Sequence, residues 1–238
     1  MRSPETRVEI DAAIEDVWKA LTDSAEAARW FAPVMEIDLK PGGEHVADWG
    51  PGLRWKTTVE VVEPLRHLRL AEVRDEMFGV VGERRKLPMA RLVQDYYLET
   101  ENGRTVLRMV HSGFGSEEAW DEEYNGTRQG WRACFLRMKL MLERHRGEVA
   151  HNFILSKPMP GLSRAEALLK VRSEAPAGLS LVFDGETEFA GVVPEWNHSV
   201  FNVSSQTMTG GCMVHLEFVL WGVDEERAAA IRAEWSAR

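Results

Sequence analysis

The sequence predicts an α+β fold in which a curved antiparallel sheet wraps around one long helix, followed by a smaller α+β region. Three observations predict it. From Val34 to Ser112 the chain runs as consecutive strand patterns separated by turn residues. From Glu117 to Gly147, Trp120, Tyr124, Trp131, Phe135, Met138 and Leu142 recur at spacings of three, four and seven, drawing one apolar stripe down a long helix. After Gly147 a shorter series of strand and helix patterns follows. A single sheet has one face to bury, and the striped helix is the only element long enough to cover it.

Taken in order, Arg7 to Asp11 alternates and predicts a first strand, after which Ile14, Val17, Trp18 and Leu21 form an apolar helical face. Thr22-Asp23 breaks that run before a second short helix ending at Trp30-Phe31, and Pro33 closes the pair. Strands are predicted over Val34 to Leu39, Glu44 to Trp49, Arg54 to Val62 and His67 to Arg74, with turns at Pro41-Gly42-Gly43, Pro51-Gly52 and Glu63-Pro64. Leu92 to Thr100 and Arg104 to Ser112 form a hairpin about Glu101-Asn102-Gly103. In the long helix, Ser116 beside Glu117 and Glu118 predicts an N-cap and first turn, Lys139, Arg144, His145 and Arg146 favour the C-terminal end, and Gly147 is a stop. Asn125-Gly126, Thr127 and Gly130 are poor helix formers and predict a kink near Gly126. Trp120, in the first turn, is open to either packing or solvent.

Beyond Gly147, a strand over His151 to Leu155, a linker or turn at Pro158 to Gly161, and a helix capped by Ser163 are predicted. Strands follow over Leu179 to Phe183, Glu188 to Val193, His198 to Ser204 and Met213 to Trp221. A last helix, Asp224 to Trp235, presents Ala228, Ile231 and Trp235 on one face. The order of strand, helix, strands and helix echoes the first region in reduced form.

The chain of 238 residues is 44% hydrophobic and 28% charged, an ordinary globular composition. No apolar run approaches the roughly 18 residues of a membrane span. A net charge of -9 argues against a nucleic-acid partner, since the basic run Arg84-Arg85-Lys86 is short and adjoins Glu83. The opening MRSPETRVEIDA has no apolar signal core, which gives the expectation of a cytoplasmic protein. Cys134 and Cys212 lie far apart and outside any CxxC motif, so free buried thiols are expected. Scattered histidines without HExxH or a Cys/His cluster give no metal site. The glycine pairs lack nucleotide-loop spacing and no GxSxG occurs, so no cofactor and no nucleophile motif is expected.

The segments IDAAIEDVWKALTD and ARWF, the DLKPGG turn, the VEVVEPLRHLRL strand pair and HSGFGSEEAWDEEYNGTRQGW leading into a Leu/Met-rich helix resemble the SRPBCC (START/Bet v 1-like) superfamily. Within it they are most similar to the group named after the activator of Hsp90 ATPase homologue 1, over about residues 5 to 146. The resemblance implies a helix-grip (Bet v 1-like) domain over residues 1–147, with 148–238 a smaller α+β domain read as a truncated second helix-grip unit. That second domain would dock on the first or form a homodimer. Residues 75–90 stand where the family makes a short turn. They read either as a loop over the cavity mouth, with Met77, Phe78, Val80 and Val81 as its apolar contacts, or as a surface excursion. Family members include ligand carriers, aromatase/cyclase-like enzymes and stress and resistance proteins, with no catalytic motif in common.

The space between sheet and helix is where a small hydrophobic or aromatic molecule would sit. Trp30, Phe31, Trp49, Trp55, Tyr97, Phe114, Trp131, Phe135 and Met138 are its candidate walls, although the same side chains also suffice to fill a core. His67 and His111 are the titratable groups placed to reach the space. His111 shares a strand face with Leu107 and Met109, and it is the candidate polar contact or catalytic residue. Asp95 and Tyr97 share a face of the neighbouring strand, which would bring a carboxylate to His111 in one of the two registers. Binding of a small hydrophobic ligand is the first expectation. A cyclase/aromatase- or hydrolase-like enzyme using His111 or a carboxylate is the second, and stimulation of an Hsp90-type chaperone ATPase, implied by the family name alone, is a minor third.

Overall fold

In the computed structural model, which describes residues 1–50, 53–72 and 91–238, the chain divides at Gly147 into two units, Met1–Arg146 and Gly147–Arg238. Unit 1 opens with β1 (Glu5–Ile10), the helices α1 (Ile14–Thr22) and α2 (Ser24–Ala27), and the strands β2 (Val34–Ile37), β3 (Glu44–Asp48), β4 (Arg54–Glu63), β5 (His67–Glu72), β6 (Val93–Glu101) and β7 (Arg104–Ser112). A 3-10 turn, Glu118–Trp120, leads into α3 (Asp121–Arg144). The seven strands form one antiparallel sheet in the order β1-β7-β6-β5-β4-β3-β2, so the first strand pairs with the last and the rest follow in reverse. The β6–β7 turn needs two consecutive residues at positive φ, which Asn102 (50°) and Gly103 (78°) supply. This is the strongly curled sheet closed by a long helix that the sequence predicts.

Several elements differ in detail. The Ser116 cap is not made, because the helical path begins one residue later in the 3-10 turn, whose cap position is Glu117 without a side-chain bond. Trp120 does not face solvent: it is buried, edge-on to Phe114 with ring centroids 6.0 Å apart, in a small cluster with Leu92. Nor does Gly126 interrupt α3, which runs unbroken to Arg144. Tyr124, packed edge-on against Phe114, and Trp131 on the sheet anchor the helix on either side of the glycine. Pro51-Gly52, Arg74, residues 75–90 with their apolar contacts, and the basic run Arg84-Arg85-Lys86 lie outside the described residues.

Unit 2 comprises β8 (Ala150–Pro160), α4 (Arg164–Ser173), β9 (Ser180–Asp184), β10 (Glu188–Val193), β11 (Ser199–Met208), β12 (Gly211–Trp221) and α5 (Glu225–Ala237). Its sheet order, β8-β12-β11-β10-β9, obeys the rule of unit 1 with two strands fewer. Ser163 caps α4 through a reciprocal capping box with Glu166, and the Asp224 side chain caps α5. Phe153 stacks on Phe218 at 4.6 Å, and Phe201 and Trp235 close over that pair at 5.2 and 5.6 Å from Phe218. Of the linker or turn expected at Pro158 to Gly161, Gly161 is the turn, and residues 158–160 are instead the end of β8. Proline is tolerated there because β8 is an edge strand, paired with β12 alone. Among the described residues, no helix is long and apolar enough to cross a membrane.

Gly126 is exposed, and a Cβ built on it meets no atom within 4 Å. Gly126→Ala is therefore expected to stabilise unit 1 by roughly 0.5–1 kcal/mol, the cost of an unneeded helical glycine. Urea unfolding monitored at the α3 amides would show it, and a loss of stability would mean that the helix requires flexibility at this point.

Candidate functional site

The β6–β7 register decides what faces the helix. Gln94 pairs with His111, Tyr96 with Met109 and Leu98 with Leu107, so these six side chains share the concave face. On β5 the same phase holds Leu68, Leu70 and Glu72, since Leu68 pairs with Tyr96 and Leu70 with Gln94. A carboxylate thus ends an apolar row. Glu72 is 5% exposed, His111 3%, Gln94 1%, Tyr96 4% and, reaching down from α3, Trp131 4%.

These buried groups form one chain of polar contacts. Tyr96 donates its hydroxyl proton to Gln94 Oε1 at 2.6 Å, and Gln94 Nε2 donates to Glu72 Oε1 at 2.6 Å. From the other side Trp131 Nε1 donates to His111 Nδ1 at 3.2 Å. An indole N–H only donates, so Nδ1 carries a lone pair and the imidazole is the neutral tautomer with its proton on Nε2. That nitrogen lies 2.7 Å from Glu72 Oε1, at ion-pair distance but off the direction of a hydrogen bond. Glu72 Oε2 has no hydrogen-bond partner among the described residues. Burial, aided by the negative fields of Cys134 and Glu72, holds the Tyr96 phenol well above its ordinary pKa, so it remains a donor.

Aromatic rings surround this chain. Phe31 stacks on Trp131 (5.9 Å, 6°) and also meets Trp30 at 5.1 Å, Trp49 at 5.3 Å and Trp55 at 5.9 Å. Trp131 contacts Trp55, Phe135 and Tyr96, and His111 packs edge-on to Phe114 at 4.9 Å. Trp30, Trp49, Trp55, Trp131, Phe135, Phe114 and His111 are therefore one connected assembly, with Met138 buried further along α3. Trp49 and Trp55 are its half-buried members. Among the described residues, a cavity between Trp30, Phe31, Met35, His45, Leu68 and Tyr96 has about 10 Å³ of open volume, room for roughly one water. His45 retains some exposure, yet loss of solvation at this apolar wall lowers its pKa to about 4.

Tyr97, Asp95 and His67 are not part of the assembly. The pairing of His67 with Tyr97 and Arg69 with Asp95 puts all four on the convex face, the phase opposite to His111. There Arg69 grips Asp95 through Nε (2.7 Å) and Nη2 (3.1 Å), His67 Nε2 lies 2.7 Å from the same carboxylate, and Tyr97 stacks on His67 at 4.5 Å. Partial burial works to raise the Asp95 carboxyl, but the bonds from Arg69 and His67 outweigh it and hold the pKa below its ordinary value. The carboxylate that meets His111 is Glu72, which the sequence reading passed over together with Gln94 and Tyr96. The available signal was a lone carboxylate in the apolar Leu68, Leu70 phase. Among the described residues no group of three or more His, Cys, Asp or Glu side chains is placed to hold a metal, and neither Cys134, which is half-buried, nor Cys212, which is buried, forms a disulfide.

A curled antiparallel sheet gripping a C-terminal helix, with a ring-lined interior, defines a protein of the helix-grip, SRPBCC type. Residues 11–143, more than half of the chain, match the family described as activator of Hsp90 ATPase homolog 1-like protein, and the chain belongs to that family. No curated protein matches it. Among similar solved structures, the Aha1 dimer from Colwellia psychrerythraea has 19% identity and a TM-score of 0.50, covering 62% of this chain and 100% of that one. Protein MLL2253 from Mesorhizobium loti has 25% identity and a TM-score of 0.47, over 59% of this chain and 96% of its own. DynU16, from the dynemicin biosynthetic locus, has 18% identity and a TM-score of 0.48, over 99% of this chain and 94% of its own.

The depressed His45 pKa gives a pH dependence of known sign. Below its ordinary value of 6.5 the unfolded chain takes up a proton that the folded protein refuses until about pH 4. Stability is therefore full above 6.5 and falls as the pH drops towards 4, by up to roughly 3 kcal/mol from this residue. Asp95 acts lower, losing its contribution only as the pH falls below its ordinary carboxyl value. Denaturant midpoints measured between pH 7 and 4.5 should slope downward, and His45→Gln should flatten the slope. An unchanged slope in the variant would refute the assignment.

Proposed function

We propose that unit 1 binds a small, largely apolar molecule with an aromatic or other flat portion, between the concave face and α3. The observation that carries this reading is the buried polar chain ending in an unpartnered carboxylate oxygen, set among stacked rings. A core built only for stability would not keep such a group, because an unsatisfied buried acceptor costs about 1–3 kcal/mol and a charged one more. The family's helix-grip architecture supports the same reading. The cavity beside Phe31 has room for about one water, so a ligand seated there displaces rings, of which Trp49 and Trp55 are half-buried.

A second reading, an enzyme of cyclase or hydrolase type, is favoured by one observation, the 2.7 Å approach of His111 Nε2 to Glu72 Oε1, which a small rotation of the carboxylate would align for proton transfer. Turnover of a bound molecule that disappears in His111→Gln would support it, and turnover unaffected by that change would exclude it. Unit 2, built on the same strand order with a helix after its last strand, is read as a reduced copy of unit 1.

Calorimetric titration with 1-naphthalenemethanol, a neutral flat probe, tests the binding reading. The wild-type protein should bind it, and Trp55→Ala should weaken binding by roughly tenfold, the loss of one aromatic contact of about 1.4 kcal/mol. Trp55 is only half-buried, so this variant is expected to fold. Heat-free titrations throughout the panel would favour a filled core over a binding site.

A further inference from the structure

The charge state of the polar chain narrows the chemistry of the ligand. Trp131 donates into His111 Nδ1, so the imidazole faces Glu72 as a neutral group and brings no positive charge to it. The hydrogen-bond donor to Glu72 among the described residues, the Gln94 amide, is neutral as well. Among the described residues no Lys or Arg pairs with Glu72, and its Oε2 is left without a partner although the residue is 95% removed from solvent. By contrast Asp95, a comparable carboxylate on the next strand, is matched by a two-point guanidinium contact. A carboxylate in an apolar site is stable only with a counter-charge or a captured proton.

We propose that the ligand of this site carries a protonated amine, seated against Glu72 Oε2, with the rest of the molecule against the faces of Trp131, Trp55 and Phe31. The inference rests on the binding reading above and adds to it the polar group of the ligand. An ammonium group supplies both things the site lacks, a hydrogen-bond donor for Oε2 and a positive charge for the carboxylate. The surrounding rings reinforce the choice, because the faces of tryptophan and phenylalanine attract organic cations. A hydroxyl in the same place would satisfy the hydrogen bond and leave the charge unmatched. A carboxylate ligand would meet Glu72 as a like charge.

The test compares three probes of one shape, 1-naphthylmethylamine, 1-naphthalenemethanol and 1-naphthoic acid, by isothermal titration calorimetry at pH 7.5 on the full chain. The expected order is amine, then alcohol, then acid, with the amine bound roughly tenfold or more tighter than the alcohol. In Glu72→Gln, which keeps the shape and the Gln94 contact, amine and alcohol should bind alike. Glu72→Asp, which retains the charge, should restore a preference for the amine and guards against a folding defect in the first variant. If the alcohol binds and the amine binds no better, the amine inference is overturned while the binding reading stands. If the preference survives in Glu72→Gln, the cation lies elsewhere and the inference is likewise overturned. If none of the three binds, both readings fall together.

Discussion

The pairing of Gln94 with His111 across the β6–β7 hairpin is the constraint on which the rest of unit 1 depends. Strand side chains alternate strictly, so a slip of one residue would turn Asp95 and Tyr97 inward and expel Gln94 and Tyr96. Three features oppose the slip. The Asn102-Gly103 turn fixes the hairpin at one end, Leu98 and Leu107 meet on the buried face, and Arg69 and His67 clamp Asp95 on the outer one. Once the register is set, the apolar stripe of α3 has a matching floor and Trp131 comes within reach of His111.

The two faces of this sheet solve the same electrostatic problem in opposite ways. Outside, a carboxylate, a guanidinium and an imidazole neutralise one another in a compact group stiffened by the Tyr97 ring. Inside, a carboxylate of similar burial receives one hydrogen bond, from the neutral Gln94 amide, to the same oxygen that His111 approaches. Stability alone explains the first arrangement. The second leaves one carboxylate oxygen without a hydrogen-bond partner among the described residues, the feature on which the proposed binding of an amine rests.

Much of the architecture was legible because it rests on local chemistry. The Asn-Gly hairpin, the helical stripe from Trp131 to Leu142 and the caps at Ser163 and Asp224 each announce themselves in a few residues. The site was legible only in part. Trp131, Trp55 and His111 lie on their elements' apolar phases, but Tyr96 and Tyr97 are adjacent aromatics, so both phases of β6 look apolar and periodicity cannot choose between them. Glu72 escaped notice because one charge at the end of a strand ordinarily faces water. Its inward position follows from the partners of Leu68 and Leu70, four and two residues earlier, which is long-range information. The same holds for Pro158 and Pro160, where only the sheet order reveals that the strand has a free side.

Those two prolines have a consequence for how the chain meets its own copies. They lie two residues apart in β8, on a single parity, and neither has an N–H to offer along the outer side of the strand. The C-terminal end of β8 thereby lacks two successive outward donors, and an incoming strand would find its ladder broken there. The opposite margin, β9, carries no proline and exposes Leu181 and Val182. The two borders of the sheet thus differ, one carrying prolines over its last residues and the other exposing apolar side chains without any.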